Sequence, residues 1–194
     1  MLRANDNWME APNKQEIIDS TIPPGNAAES AILMTLPANG ANYTAVVRGA
    51  NSTTGIGVIE VYDLDLNADS RLANISTRGF VQTGDNVLIA GTIVLGQSSQ
   101  NVIIRAIGPS LPFPGKMENP TMELRDSNGG LIRANDNWKS DQMAEIIATS
   151  IPPTNDLEAA IVVTLPANSA SYTAIVRGVN DGTGIAVVEV YALP

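Results

Sequence analysis

Residues 102–107 read VIIRAI, a short β-branched run bounded by GQSS at 96–99 and GPS at 108–110. Runs of about four to nine such residues between turn-forming clusters are typical of strands rather than helices. Outward from this run, similar strand patterns occupy 71–76, 87–95, 121–125, 131–134, 159–165, 172–177 and 185–191. The sequence therefore predicts an all-β fold, an antiparallel β-sandwich of the jelly-roll or Ig-like type with about eight strands in a full repeat.

Two glycine-bearing turns predict hairpins. Residues 126–130 read DSNGG; Asp and Asn close their own turns and Asn-Gly accepts positive φ, which favours a hairpin between 121–125 and 131–134. The loop 179–184 predicts a second hairpin between 172–177 and 185–191. On that hairpin Arg177 and Glu189 would lie near opposite ends, where we expect surface charges or an exposed ion pair worth under about 1 kcal/mol.

One short helix per copy interrupts the strand pattern. Residues 140–149 open with a capping serine, contain good helix formers, and are followed by the helix-stopping prolines at 152–153. The counterpart at 13–20 is followed by prolines at 23–24. Each helix is about two turns long, too short to be stable alone, and is expected to close one end of the sandwich.

The chain contains an internal duplication. LRANDNW at 2–8 returns as IRANDNW at 132–138, and about 30 of the 47 residues in 16–62 are identical to their counterparts in 145–191. Residues 66–130 have no second copy. The sequence thus predicts two domains, a partial repeat at 1–65 that corresponds to the C-terminal half, and a complete repeat at 66–194 of normal domain size.

The partial repeat should contain an unpaired strand edge. In the complete repeat, 131–134 can pair with 121–125, but 1–65 includes no counterpart of 121–125. An open edge is a template for another strand. We therefore expect a homo-oligomer formed by strand exchange, as a swapped dimer or a head-to-tail assembly, the alternative being an edge that stays exposed.

Composition excludes several classes of function. The 194 residues include no Cys and no His, which rules out disulfides, thiol nucleophiles, thiolate or imidazole metal sites and Ser-His-Asp catalysis. The 11 basic and 20 acidic residues give a net charge of −9, which argues against nucleic acid and anionic membranes. With no 18-residue apolar run and no N-terminal signal-peptide pattern, we expect no membrane insertion and no signal peptide in this chain.

The most distinctive polar motif is NDNW, at 5–8 and again at 135–138. Asn135 and Asp136, with Asp126 and Asn128 from the preceding turn, are candidate oxygen ligands for Ca²⁺, although the bidentate Glu of a calcium loop is absent. The alternative, which we favour, is that these residues cap turns. Trp8 and Trp138 are candidate carbohydrate platforms if their rings are exposed, and plugs for the ends of the sandwich if they are buried.

An enzyme is not expected, since only carboxylates are abundant. Two of them would suffice for glycoside hydrolysis, but no spacing in the sequence singles out a pair. A carboxylate-dependent glycoside hydrolase therefore remains the least favoured alternative, and we expect no cofactor apart from the candidate Ca²⁺.

Two resemblances extend this interpretation. Residues 70–79 (SRLANISTRG), 102–111, 119–121, 131–138 and 172–178 resemble a repeat found in tandem in large secreted or surface proteins of environmental bacteria. The LRDSNGG turn, the following Asn-Asp and the late YTA strand are similar to the bacterial pre-peptidase C-terminal domain, a β-sandwich appended to secreted hydrolases. Neither resemblance brings catalytic residues. Both imply a non-catalytic structural or adhesive module of an extracellular or cell-surface protein, with a polysaccharide or another surface component as a candidate partner.

Overall fold

A computed structural model of the chain describes residues 1–65 and 67–194, which form two compact units, Met1–Leu72 and Ala73–Pro194. Leu66, the predicted first residue of the complete repeat, lies outside the described residues. The second unit begins at Ala73, seven residues after that predicted boundary. In the part of the chain that is described, no helix combines the length and apolar character needed to cross a bilayer.

The second unit confirms the all-β prediction. It contains one α-helix, α2, and eight strands: β1 Asn74–Val81, β2 Leu88–Ile93, β3 Gln100–Ile107, β4 Pro120–Arg125, β5 Leu131–Asn135, α2 Met143–Ala148, β6 Ala159–Leu165, β7 Ser171–Gly178 and β8 Gly184–Ala192. The first strand starts three residues later than the pattern predicts. It runs to Val81, so the polar residues Thr77 and Arg78, which lie beyond the predicted end at 76, belong to the strand as well.

The strands form two four-stranded antiparallel sheets, with the orders β1-β8-β3-β6 and β2-β7-β4-β5. Every ladder joins one strand of the front half (residues 73–125, β1–β4) to one strand of the back half (residues 131–194, β5–β8). The second unit is thus one long hairpin, with its tip at 126–130, rolled so that β8 also meets β3 and β7 also meets β4. This is the jelly-roll arrangement, one of the two predicted alternatives.

One of the two predicted hairpins is wrong. β4 and β5 do pair, with Leu124 opposite Arg133, as the turn residues indicate. β7 and β8 instead lie in different sheets, and the glycine-bearing loop between them, which includes a 3-10 turn at Val179–Asp181, crosses from one sheet to the other. Arg177 and Glu189 consequently do not face each other, because each pairs with a strand of the front half.

The main core lies between the sheets, where alternate residues of each strand point inward. The strand β3 contributes Val102, Ile104 and Ala106, and β8 contributes Ala186, Val188 and Val190. The helix α2 does not close an end of the sandwich as expected. Its Ile146 packs with Trp138 against the outer face of the first sheet, on Ile103 and Ala160, where the two form a second apolar cluster. The long connection between β5 and β6 therefore covers part of that face.

The first unit contains the helix α1 (Lys14–Asp19) and no strand among its described residues, 1–65 and 67–72. Its sequence corresponds to the back half alone, and in the complete repeat the strands of the back half pair only with the front half. Several side chains that are buried in the strands of the second unit are consequently exposed in the first. Val47 is 64% exposed, whereas its counterpart Val176 is 0% exposed.

Two side-chain hydrogen bonds are nevertheless the same in both copies. The indole Nε1 of Trp8 donates to the carbonyl of Asn26 at 3.1 Å, as that of Trp138 does to Asn155 at 3.1 Å. Likewise the side-chain oxygen of Asn5 accepts the amide of Ala31 at 3.0 Å, as that of Asn135 accepts the amide of Ala160. These contacts lie within the back half, so they form whether or not a front half is present.

The same substitution in the two copies tests this account. Ile161→Ala removes a fully buried side chain of the core, and we expect it to lower the free energy of unfolding by about 2–5 kcal/mol. Ile32→Ala, at the corresponding position, alters a side chain that is 48% exposed. It should change the free energy of unfolding by less than about 0.5 kcal/mol. Urea unfolding followed by circular dichroism measures both. Equal losses would contradict the difference in packing between the two units.

Candidate functional site

A polar cluster lies on the outer face of the first sheet, where the front and back halves meet. Inward residues of β3 alternate with the outward pair Ile103 and Arg105, so the guanidinium of Arg105 points away from the main core. On the neighbouring strand β8, Glu189 lies directly opposite Arg105. Sheet register therefore places a cation of the front half against a carboxylate of the back half.

The Arg105 guanidinium is held by three partners. Its Nε and Nη2 donate to Oε2 of Glu189 at 3.0 and 2.5 Å, and Nη1 donates to the carbonyl of Ile151 at 2.8 Å. Nη2 also lies 3.2 Å from the hydroxyl of Tyr191, and the guanidinium carbon lies 4.9 Å from that ring's centroid. The side chains of Arg105 and Glu189 are only 15% and 16% exposed. Charge-assisted bonds of this kind are about twice as strong as neutral ones.

The second component is Glu158, which is completely buried. Its Oε1 accepts the backbone amides of Gly108 at 3.3 Å and Ser110 at 3.0 Å, and the Ser110 hydroxyl at 2.5 Å. Its Oε2 accepts the amide of Asn155 at 3.2 Å. A buried carboxylate requires such donors, since an unpaired charge inside a protein is strongly unfavourable. Glu158 thus joins the segment after β3 to the segment before β6.

Gly108 allows this approach. A Cβ at that position would lie 2.5 Å from the carbonyl oxygen of Met117, so any larger residue would push the two segments apart. Without a side chain, the chain after β3 runs close to Met117 and presents the amides of Gly108 and Ser110 to one carboxylate oxygen.

Both carboxylates line one open pocket, together with Arg105, Ser110 and Leu111. A glycoside hydrolase would need two carboxylates facing a substrate from opposite sides. Here Glu158 accepts four donors of its own chain and Glu189 is bound in an ion pair. The cluster therefore holds the front half against the back half.

Sequence analysis singled out Glu189 only as a surface charge and missed Glu158, because nothing in the local sequence indicates that an acidic residue there is buried.

Burial is the main reason that the pKa of Tyr191 lies above the ordinary tyrosine value. The negative charge of Glu189 raises the pKa further, because it disfavours a second negative charge on the phenol. The guanidinium of Arg105 acts in the opposite direction and lowers it.

The structure does not bring the four candidate calcium ligands together. Asp126 Oδ1 accepts the amides of Asn128 and Gly130, both at 2.8 Å, and so closes the turn at one end of β5. Asn135 is buried at the other end of that strand, and its Oδ1 is taken by the amide of Ala160. A strand of five residues spans roughly 15 Å, well beyond the reach of one ion's ligands.

Two oxygens beside Asn135 have no partner. Oδ1 of Asp136 and Oδ1 of Asn137 are buried, and neither has a hydrogen-bond partner among the described residues. Among the four candidates, all of them within the described residues, Asp136 is therefore the residue with a buried side-chain oxygen that accepts no hydrogen bond. Within the described ranges, 1–65 and 67–194, there is no group of three or more acidic residues that could hold a metal ion.

The tryptophans do not offer platforms for sugars. Trp138 is 5% exposed and Trp8 is 7% exposed, and each donates its indole N–H to a backbone carbonyl of its own copy. Carbohydrate stacking requires an open ring face, and both rings are buried. Trp138 packs with Ile146 against the outer face of the first sheet, rather than at an end of the sandwich.

The Arg105→Met variant tests the polar cluster. Removing the guanidinium removes the one charge that favours the Tyr191 phenolate, so the pKa of Tyr191 should rise further, as measured by NMR titration of labelled tyrosine. Leaving Glu189 without its partner should lower the free energy of unfolding by about 1–3 kcal/mol. The control Arg125→Met breaks a more exposed pair with Glu123 on the other sheet and should cost under about 1 kcal/mol, with the Tyr191 titration unchanged.

No protein-family model matches the sequence, and a search of the curated proteins finds no match. Function is therefore inferred from the strand pairing and side-chain contacts of this chain itself.

Proposed function

We propose that this chain is a non-catalytic structural and adhesive β-sandwich module of an extracellular or cell-surface protein, and that it associates through strand pairing. One observation supports the proposal above the others: every ladder joins a front strand to a back strand, while residues 1–65 supply back-strand sequences alone. The resemblance to tandem surface-protein repeats agrees with an extracellular location.

The half repeat, residues 1–65, has the properties of a surface that accepts strands. Its would-be strands leave their alternate apolar side chains in solvent: Ile32, Leu36, Tyr43, Val47, Ile59 and Val61 are all exposed. Extended segments with apolar side chains and unpaired backbone groups favour pairing with added strands. Adhesion by this means needs no catalytic group, and the two carboxylates of the polar cluster have structural partners.

A second copy is one source of strands. In strand exchange, the front half of one molecule pairs with the half repeat of another and releases its own back half to pair elsewhere. Because the 194 residues contain two back-half sequences and one front half, each exchange leaves one back half open. Such an assembly grows head to tail rather than closing, unless two copies exchange reciprocally into a dimer.

Light scattering coupled to size exclusion tests this association. Exchange conserves the number of ladders, so we expect dimers and larger species only at high protein concentration, with a fraction that rises with concentration. Val47→Asp should abolish them without lowering the free energy of unfolding by more than about 0.5 kcal/mol, because Val47 is exposed. A strictly monomeric chain at every concentration would contradict self-association.

A second candidate function is calcium binding at residues 135–137. The free, buried oxygens of Asp136 and Asn137 favour it, since Ca²⁺ prefers carboxylate and amide oxygens. Calorimetric titration with CaCl₂ should release or absorb heat and raise the melting temperature, and Asp136→Ala should abolish both effects. If CaCl₂ gives the unaltered chain neither heat nor a shift in melting temperature, calcium binding is rejected and the structural role is the one that remains.

A further inference from the structure

We infer that the half repeat, residues 1–65, is an acceptor for one kind of segment: a front half of the same pattern as 73–125 that is not already paired with a back half of its own. This inference rests on the proposed function and names the partner of that association. The polar contacts between the two halves of the complete repeat, and their counterparts in the first copy, support it.

The half repeat retains the back-half side of both polar contacts. Glu29 corresponds to Glu158, and Glu60 and Tyr62 correspond to Glu189 and Tyr191. The amide of Asn26 already binds Oε2 of Glu29 at 2.9 Å, as the amide of Asn155 binds Glu158. In the complete repeat the other oxygen of Glu158 accepts Gly108 and Ser110, which belong to the front half. Glu29 is exposed and is therefore accessible to the corresponding amides of a partner.

The partner's charge follows from the second contact. Glu189 and Tyr191 bind Arg105, so Glu60 and Tyr62 should bind an arginine at the same position of a front half. Glu60 is also the main cause of the raised pKa of Tyr62, whereas at Tyr191 the guanidinium opposes that rise. The side chains of the half repeat sum to −5 and those of 73–125 to +1, so the two segments attract each other.

The apolar surfaces match in the same way. In the complete repeat, the front strand β3 sets Val102, Ile104 and Ala106 into the core beside Ile161 and Val188 of the back half. Ile32 and Ile59 hold the corresponding positions in the half repeat, and both are exposed. A front half that carries the β3 alternation would therefore cover them and supply the ladder partners at once.

Whether the partner's front half is already engaged decides how favourable the pairing is. A second intact copy uses its front half in its own sandwich, so exchange breaks as many ladders as it forms. A free front half gains all its ladders and the buried core without losing any. The favoured occupant is therefore an unengaged front half, and an intact second copy is the competing outcome.

The experiment supplies that front half as a peptide. The full chain is mixed with a peptide of residues 73–130, and amide hydrogen exchange is followed by mass spectrometry, separately for 1–65 and 131–194. We expect saturable one-to-one binding and exchange slowed at least tenfold in 30–63, with 131–194 unchanged. The same concentration of unlabelled intact chain should give no such protection.

Three results would overturn the inference. Unchanged exchange in 30–63 at saturating peptide would show that the half repeat accepts no front half. Changed exchange confined to 131–194 would show that the peptide only replaces the resident front half. Equal protection by the intact chain would show that a second copy is the occupant, which would keep the proposed self-association while rejecting this partner.

Matched variants identify the contacts. Glu60→Gln in the chain and Arg105→Met in the peptide should each weaken binding about tenfold, and the two together should weaken it little more than either alone, because they remove one shared contact. Glu29→Gln should weaken binding to a similar extent. Glu10→Gln removes an equal charge from an exposed position outside both contacts and should leave the affinity unchanged. Independent, additive effects of Glu60→Gln and Arg105→Met would contradict the assigned pairing.

If the free peptide aggregates, the front half can be fused to the chain instead, and the test remains decisive. Residues 73–130 are placed ahead of Met1, so that Gly130 precedes Met1 as it precedes Leu131 in the complete repeat. We expect a second set of protected amides in 1–65 and about twice the strand signal in circular dichroism. The same extension carrying Arg105→Met should give weaker protection. If 1–65 stays unprotected in a soluble extended chain, the inference fails, whatever light scattering shows about self-association.

Discussion

Backbone hydrogen bonding between two halves of one chain governs this structure. A buried strand must pair its amides and carbonyls, and here each back strand finds its neighbours only among β1–β4. The sheet orders, the closed core and the polar cluster all follow from that division. It also explains how closely similar sequences reach different states in one molecule: 159–165 forms a strand beside β3, while the corresponding segment 30–36 enters no ladder.

Local signals predicted local structure well. Strand positions and the β4–β5 hairpin follow from residues within a few positions of each other, and the structure confirms them. The hairpin predicted at the loop 179–184 is wrong because turn residues indicate that the chain reverses direction, but they do not indicate which sheet the next strand joins. Arg105 and Glu189 are 84 residues apart in sequence, so their pairing depends on sheet register, which local pattern does not encode.

Local sequence was also an incomplete guide to the side-chain contacts of the candidate site. Asn and Asp residues in turns serve backbone amides as readily as metal ions, and Asp126 and Asn135 are occupied in that way. The sequence around a tryptophan does not show whether its ring is exposed or buried, and Trp138 is buried against the outer face of the first sheet. Glu158 was missed because acidic residues are rarely buried, and its burial depends on amides contributed about 50 residues earlier in the chain.

The long-hairpin topology has a consequence for synthesis. Closing the short turn at 126–130 is the least costly step in chain entropy, whereas β1 must wait for β8, more than 100 residues later. At about 5–20 residues per second, the ribosome needs several seconds after completing β4 to deliver the end of β8. During that interval β4, β3, β2 and β1 gain their back strands one after another, and β1 lacks its partner until the end, so aggregation of the nascent chain depends on translation speed as well as on the stability of the finished fold.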